Sequence, residues 1–238
     1  MKYTNSDNPP AILLVGASRG IGLAMAAELL QKGWNIVGTT RPGEGRTQLH
    51  DLAEKSQGRV EVETVDICDP DQIASLHARL SGRVFDILFV NAGTANANPR
   101  ETIGEVSTEE FTRVMVTNAL GPMRTIEKLE DLVPRNGLIG VMSSGQASIA
   151  NNTSGGFEVY RGSKSALNQC MRSYAARRTT EARALLLMAP GWIRTALGGP
   201  DAPFSLEETI PDIVNTLLSK RGRPGLEYLD RMGHAVPW

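Results

Sequence analysis

The chain has 238 residues, the length of one large domain, and can bury a substantial core. Its 25 lysines and arginines nearly balance its 26 aspartates and glutamates, which excludes a strong charge-driven attraction to nucleic acid or acidic lipid. Two cysteines, Cys68 and Cys170, are too few for a disulfide framework, so we expect a reducing, cytoplasmic location. The apolar segment 11–17 is too short for a membrane span or a secretory signal, and no membrane partner is expected.

Short apolar runs alternate along the chain with stretches of helical periodicity. The predicted strands cover residues 11–15, 35–39, 60–65, 85–90, 138–142 and 184–188. The predicted helices cover residues 21–31, 48–55, 70–80, 109–132 and 160–178, and capping sequences mark helix starts after residues 69, 107 and 205. This alternation predicts an α/β fold: a single domain over residues 1–238, with a doubly wound parallel sheet and helices on both faces. Residues 1–9 are expected to be flexible.

The first predicted strand leads into the sequence GASRGIG, which fits two kinds of site. In a dinucleotide-binding turn, Gly16 permits the sharp turn, Gly20 lets the backbone approach a pyrophosphate, and Gly22 lets the helix pack against the sheet. The same segment fits the Gly-x-Ser-x-Gly nucleophile elbow of α/β-hydrolases, with Ser18 as nucleophile and the late His234 as base. The hydrolase interpretation gives Gly22 no role, so we favour the dinucleotide-binding turn and keep the hydrolase as an alternative.

Tyr160 and Lys164 are four residues apart in a predicted helix, which places both side chains on one face about 6 Å apart. An ammonium group near a phenol favours the phenolate and lowers the tyrosine pKa, and the positive ring of an oxidised nicotinamide would add to this effect. Such a tyrosine can donate or accept a proton near neutral pH. The pair therefore indicates acid–base chemistry, although a tyrosine packed over a lysine side chain would show the same spacing.

Further motifs accompany this pair in a characteristic order. They are VGASRGIG, VDICD, VNAGT, the asparagine of VMVTNALGPM, VMSSGQ, YRGSKSALN and PGWIRT. In these motifs the sequence resembles the short-chain dehydrogenase/reductase family over nearly its whole length, and it is most similar to the sniffer and C-factor group of carbonyl reductases. One departure is Val15, at a position where the family most often has threonine.

The resemblance implies hydride transfer between a nicotinamide cofactor and a carbonyl or secondary alcohol substrate. It implies that Tyr160 is the acid–base group, that Lys164 bonds the nicotinamide ribose, and that Asn118 takes part in a water relay. Of the adjacent Ser143 and Ser144, the second is expected to bond the substrate oxygen. The implied cofactor contacts come from Gly16, Ser18, Arg19, Gly20, Ile21, Gly22, Arg41, Asp66, Ile67, Asn91, Ala92, Gly93, Tyr160, Lys164, Pro190, Gly191, Ile193 and Thr195.

The residues after the second predicted strand indicate which cofactor is preferred. An acidic residue there binds the ribose 2′-hydroxyl of NAD, whereas an arginine accommodates the 2′-phosphate of NADP. This strand is followed by Arg41, and the first carboxylate beyond it is Glu44. Arg19 in the glycine-rich loop is a second cation of the kind that NADP-preferring family members carry. We therefore expect NADP(H) to be preferred, with NAD(H) possible.

The remaining expectations concern assembly, the lid and metals. The resemblance implies a homodimer or homotetramer built on the helices near 107–131 and 158–178, with apolar content from Leu120, Met123, Leu167 and Met171. It also implies a substrate lid within residues 195–210, and Trp192 could line the substrate mouth or pack in the core. The histidines and cysteines lack zinc-site spacing, so no metal is expected, and both cysteines are expected to pack.

The sequence leaves two matters open. The same fold could serve a cofactor-binding protein that senses redox state or signals without turnover, although such a protein would have no need of the serine. The substrate itself is not indicated, because a ketone, aldehyde, quinone, steroid or sugar would fit the same motifs.

Overall fold

Seven parallel strands form one central sheet in the computed structural model, which describes residues 9–238. Residues 1–8 of the segment 1–9, which was expected to be flexible, lie outside the described residues. The strand order is β3-β2-β1-β4-β5-β6-β7. The strands are β1 (Ala11–Val15), β2 (Asn35–Thr40), β3 (Val60–Thr64), β4 (Ile87–Val90), β5 (Leu138–Met142), β6 (Ala184–Ala189) and β7 (Gly225–Asp230).

Helices connect the strands and cover both faces of the sheet. They are α1 (Gly20–Gln31), α2 (Gln48–Lys55), α3 (Pro70–Arg79), α4 (Thr108–Met115), α5 (Gly121–Leu129), α6 (Glu158–Ala176) and α7 (Leu206–Ser219). A five-residue π-helical turn, Val116–Leu120, joins α4 to α5. None of the helices in the described part of the chain is long and apolar enough to cross a membrane.

The two faces of the sheet carry separate apolar cores. In β1, Leu13 and Val15 face the core beneath α3, α5 and α6, whereas Ile12 and Leu14 face the core beneath α1, α2 and α7. All four side chains are fully buried, which explains why the strand is apolar at successive positions. Burying a side chain of this size stabilises the fold by about 1.5–3 kcal/mol. The predicted doubly wound α/β fold with helices on both faces is confirmed.

Strand order reverses between β1 and β4, which lie side by side in the sheet although β2 and β3 come between them in the sequence. In open parallel sheets, the crevice for a ligand forms beyond the carboxyl ends of the strands at such a point. The glycine-rich loop follows β1, and the VNAGT turn follows β4. The fold therefore brings these two predicted binding motifs together.

The burial of several helix residues differs from the predictions. Met123, Leu167 and Met171 lie in the chain's own core, so their apolar character does not mark an interface between subunits. Leu120 is 42% exposed and is the member of that set that reaches the surface. Cys170 was expected to pack, but it is exposed on α6, because it lies on the face of the helix that points away from the sheet.

Candidate active site

The glycine-rich loop is folded against the turn that follows β4. Gly16 has φ of +87°, and an added Cβ would lie 2.7 Å from the backbone nitrogen of Ala92. An added Cβ on Gly22 would lie 2.1 Å from the Gly16 carbonyl oxygen, which itself accepts a hydrogen bond of 2.7 Å from the Asn91 side chain. These contacts leave no room for side chains at either glycine. They explain why residues 16 and 22 are glycines, and why an asparagine and an alanine occupy positions 91 and 92 in the facing turn.

Helix α1 begins at Gly20, directly after this loop. The first backbone amides of a helix have no partner within the helix and carry partial positive charge, which suits a pyrophosphate. Gly20 also has a positive φ of +56°, and an added Cβ would lie 3.7 Å from Thr195 Cγ2 in the segment after β6. Two distant predicted cofactor contacts, Gly20 and Thr195, therefore face each other across the crevice. Ser18 and Ile21, beside them, are partly exposed.

The side chains of Tyr160 and Lys164 lie close together on α6, as their spacing predicts. The Lys164 Nζ atom is 6.0 Å from the centre of the Tyr160 ring and donates a hydrogen bond of 2.9 Å to the Met142 carbonyl oxygen. The same Nζ atom would lie 3.2 Å from a Cβ on Gly93. Lys164 thus joins the end of β5 to the turn after β4, and only 3% of it is exposed.

The expected lowering of the Tyr160 pKa is not produced by the protein's own groups. Burial raises the pKa of the Tyr160 phenol, and a hydrogen bond with the Ser144 hydroxyl offsets part of that rise. Burial also lowers the pKa of the Lys164 ammonium to about 8. The nearby Lys164 ammonium, which bonds the Met142 carbonyl oxygen, does not by itself bring the pKa of the Tyr160 phenol below its usual value. The positive ring of a bound oxidised nicotinamide would shift this pKa downwards.

Asn118 lies in the π-helical turn between α4 and α5 and is completely buried. Its Oδ1 atom accepts a hydrogen bond of 2.8 Å from the Thr94 amide, and its Nδ2 atom donates to the Thr94 carbonyl at 2.8 Å and to Ser163 Oγ at 2.9 Å. The π-helical turn places the Asn118 side chain against the turn after β4 and against α6. Asn118 therefore ties α6 to the turn after β4.

The adjacent serines have different surroundings. Ser143 is buried, and its hydroxyl donates a 2.6 Å hydrogen bond to Asn168 Oδ1. Ser144 is partly exposed, caps a short 3₁₀ turn by accepting a 3.1 Å hydrogen bond from the Gln146 amide, and contributes to the pKa of Tyr160. Of the two, Ser144 is the hydroxyl that lowers the pKa of the Tyr160 phenol, and its role as the catalytic serine stays a prediction.

The adenosine end of the crevice is formed after β2 and β3. Asp66 follows β3, and its carboxylate closes a tight turn by accepting a 2.8 Å hydrogen bond from the Cys68 amide, while Ile67 is buried beneath it. Arg41 follows β2, and its guanidinium group donates to Glu44 Oε1 from Nε at 3.1 Å and from Nη2 at 2.8 Å. The same oxygen lies 3.7 Å from Arg19 Nη1. Both predicted phosphate-binding arginines thus share one carboxylate.

The segment after β6 carries the other predicted contacts: Pro190, Gly191, Ile193 and Thr195. Gly191 has φ of +94°, and Ile193 is buried and pairs with Phe204. Trp192 is 53% exposed and donates a 2.7 Å hydrogen bond from Nε1 to the Gly198 carbonyl, so it does not pack in the core.

The predicted lid, residues 195–210, is held in its middle by hydrogen bonds and is helical at its end. Arg194 Nη1 donates hydrogen bonds of 2.9 Å to the carbonyl oxygens of Ala202 and Pro203. Residues 206–210 of the predicted 195–210 segment form the first turns of α7, which Ser205 and Glu208 cap reciprocally.

Three supporting contacts were missed from the sequence. The Tyr228 hydroxyl in β7 donates a hydrogen bond to the Ser144 carbonyl oxygen, Thr39 Oγ1 accepts one of 3.0 Å from the Gly16 amide, and Ser163 bonds Asn118. Ser163 lies inside the YRGSK motif and could have been noticed from its position on the same helix. Tyr228 and Thr39 carry no such signal, because they belong to strands distant in sequence.

The hydrolase alternative and a metal site find no support. His234 is exposed, and its Nδ1 atom lies 3.3 Å from Asp230 Oδ2, while no hydrogen bond joins it to Ser18 in the described part of the chain. Within residues 9–238, no group of three or more histidine, cysteine or acidic side chains is placed to hold a metal ion.

Comparison with known proteins identifies the family of this chain. A family model described as enoyl-(acyl carrier protein) reductase matches residues 16–211. The chain belongs to the short-chain dehydrogenase/reductase family, and it is an NAD(P)-dependent oxidoreductase of that family. A curated relative, the C-signal protein of Myxococcus xanthus, is 30% identical over 155 residues, which cover 64% of this chain and 92% of that protein.

Solved structures extend the comparison to nearly the whole chain. A Burkholderia multivorans protein described as a short-chain dehydrogenase/reductase with bound NADP is 63% identical, with a TM-score of 0.96, and the match covers 97% of this chain and 100% of that one. A carbonyl reductase from Pseudomonas aeruginosa in complex with NADP is 34% identical, with a TM-score of 0.89 and the same coverage. The carbonyl reductase Sniffer of Drosophila melanogaster is 25% identical, with a TM-score of 0.85, also over 97% and 100% of the chains. The predicted relationship to the sniffer and C-factor group is confirmed.

Proposed function

We propose that this protein is an NADP-dependent oxidoreductase that interconverts a carbonyl compound and the corresponding secondary alcohol through Ser144, Tyr160 and Lys164. The observation that carries the proposal is the convergence of the Ser144 hydroxyl, the Tyr160 phenol and the Lys164 ammonium at the carboxyl end of β5. NADP complexes of two similar proteins support the choice of cofactor. A panel of ketones and aldehydes with NADPH, followed through the nicotinamide absorbance, tests the reaction.

The cofactor would lie across the carboxyl ends of β1 and β4. The amides at the start of α1 would hold the pyrophosphate, Asp66 and Ile67 the adenine, and Lys164 the nicotinamide ribose. The nicotinamide supplies or accepts the hydride when it is bound. Gly93, Asn91 and the β6 turn would line its path through the crevice. The fit is supported by glycines at the positions where a Cβ would close the loop.

The chain's own residues would handle the proton. In reduction, Ser144 donates a hydrogen bond to the substrate carbonyl oxygen and holds it beside Tyr160, whose phenol gives its proton to that oxygen as the alkoxide forms. In oxidation the same proton returns to the phenolate. The Lys164 ammonium does not favour the phenolate alone, so the positive ring of the oxidised cofactor would be needed beside it to stabilise the phenolate. Asn118, held by Thr94 and Ser163, keeps the turn after β4 in place and is proposed to order the water that returns the proton.

Replacing Arg41 with alanine should weaken NADPH binding roughly ten- to a hundredfold and leave NADH binding nearly unchanged. A hydrogen bond to a charged group contributes about 1.5–3 kcal/mol, and the contact with the 2′-phosphate has no counterpart in NADH. Arg41→Asp should go further and favour NADH, because a carboxylate repels the phosphate. Dissociation constants from fluorescence titration give the comparison. Equal weakening of both cofactors would show that Arg41 only shapes the loop.

We also propose that the protein forms a homodimer or homotetramer through α4, the π-helical turn and α6. Phe111 is 37% exposed and Leu120 is 42% exposed along this surface, so it presents large apolar side chains to solvent. Light scattering at micromolar protein should give two or four times the chain mass of 25.7 kDa. A monomer mass under those conditions would contradict the proposed assembly.

A further inference from the structure

Glu44 places a carboxylate between the two arginines that are proposed to receive the cofactor 2′-phosphate. Its Oε1 atom accepts hydrogen bonds from Arg41 Nε at 3.1 Å and Nη2 at 2.8 Å, and it lies 3.7 Å from Arg19 Nη1. Its Oε2 atom accepts a hydrogen bond of 3.3 Å from the Arg41 backbone amide. Glu44 therefore holds the anion position that a phosphate oxygen would take with these arginines.

Of the three side chains, the Glu44 carboxylate is the least exposed to solvent. The Glu44 side chain is 17% exposed, whereas those of Arg41 and Arg19 are 59% and 68% exposed. Partial burial raises the pKa of the Glu44 carboxyl, but the hydrogen bonds and positive charge of Arg41, with a contribution from the Ser18 hydroxyl, outweigh it, so this pKa is below its usual value. The group is negatively charged at neutral pH.

A 2′-phosphate and the Glu44 carboxylate would compete for the same donors. Two arginines and one carboxylate leave a net charge of about +1, and a phosphate placed beside an undisplaced carboxylate would meet like-charge repulsion. To take the two Arg41 donors that Glu44 occupies, the phosphate must displace the Glu44 carboxylate. NADH has a hydroxyl at this position and meets no such repulsion.

We propose, on the basis of the proposed NADP-dependent function, that Glu44 determines cofactor specificity by competing with the 2′-phosphate for Arg41 and Arg19. Its carboxylate limits the preference for NADPH over NADH that the arginines would otherwise give. Arg41 and Arg19 thus make the enzyme prefer NADPH to NADH, and Glu44 sets the size of that preference.

Glu44→Gln should tighten NADPH binding about two- to fivefold and leave NADH binding nearly unchanged from the parent protein. Glutamine keeps an acceptor for the Arg41 amide but removes the competing charge. The range is that expected for an exposed arginine–carboxylate pair, and the gain should shrink at high salt. Fluorescence titration of the full-length protein with NADPH and NADH gives both constants, and 2′,5′-ADP against 5′-AMP isolates the 2′-phosphate.

Glu54→Gln is the matched control, because Glu54 is an exposed partner of Arg46 and does not contact Arg19 or Arg41. It should leave both constants unchanged. In an Arg41→Ala background, Glu44→Gln should change the NADPH dissociation constant less, because the arginine for which the carboxylate and the phosphate compete has been removed.

Several outcomes would overturn the inference. If Glu44→Gln left NADPH binding unchanged, the carboxylate would not compete. Weaker NADPH binding would mean that Glu44 orients the arginines for the phosphate, and an equal change with both cofactors would mean that it only shapes the loop. These results are distinct from failure of the proposed function, in which the parent protein prefers NADH and Arg41→Ala affects both cofactors alike.

Discussion

Replacing Tyr160 with phenylalanine should lower turnover at least a hundredfold while cofactor binding persists. The change removes the phenolic hydroxyl and keeps the ring, so the packing beside Lys164 and the shape of the crevice are retained. General acid–base catalysis typically contributes about 10²–10⁴ in rate, and the hydroxyl is the group proposed to supply it. Steady-state kinetics with NADPH and a responsive carbonyl substrate give kcat, and titration of the variant with NADPH gives the dissociation constant.

Tyr174→Phe provides a matched control on the same helix. Tyr174 is fully buried in α6, and its hydroxyl donates to Glu130, a residue in the short 3₁₀ turn after α5 that makes none of the site contacts described. Loss of this hydroxyl should lower stability but leave kcat within a few-fold of the parent value. If Tyr160→Phe retained turnover comparable to that of Tyr174→Phe, the proposed role of Tyr160 as acid–base group would be wrong.

Ser144→Ala should reduce turnover nearly as much as loss of the Tyr160 hydroxyl, because it removes the hydrogen bond proposed to hold the substrate oxygen. Loss of one such preorganised donor typically costs about 10²–10³ in kcat. The effect should fall on kcat more than on the cofactor dissociation constant. Measurement of both for the same preparation separates a catalytic from a binding role.

The neighbouring serine gives the control for this variant. Ser143→Ala leaves the buried Asn168 Oδ1 atom without its partner, which should destabilise the fold by about 1–3 kcal/mol and reduce turnover much less. Thermal unfolding measures the first effect and kcat the second. A larger loss of turnover in Ser143→Ala than in Ser144→Ala would reverse the assignment of the two serines.

Local patterns predicted most of the fold. The fully apolar strands β1 and β5 and the capped helix α2 were placed at their observed boundaries, since each is specified by residues adjacent in sequence. The strand β7 was missed because it is an edge strand, and its sequence GLEYLD mixes charged and apolar residues. The helix predicted over 109–132 is interrupted at Asn118 by a π-helical turn, which hydrophobic periodicity does not reveal.

The sequence predicts those residues of the candidate site that lie in short motifs. The spacing of Tyr160 and Lys164 translates directly into proximity on a helix. By contrast, the contact of Glu44 with Arg41 depends on the fold of the loop after β2, and the sequence shows only that Glu44 is the first carboxylate after Arg41. The contact of Tyr228 with Ser144 depends on the pairing of the last strand with β6. Such contacts are decided by tertiary structure.

In the proposed function, hydride passes directly between the nicotinamide and a substrate carbonyl carbon in a site served by Tyr160. The most direct measurement uses NADPH with deuterium at both C4 positions of the nicotinamide, with the best ketone or aldehyde from the substrate panel, and mass analysis of the alcohol. We predict deuterium on the carbinol carbon and loss of this product in Tyr160→Phe. Cofactor binding without transfer to any carbonyl would favour a sensing role, and cofactor-independent hydrolysis of an ester would favour the Ser18 alternative. Either result would contradict the proposed oxidoreductase function.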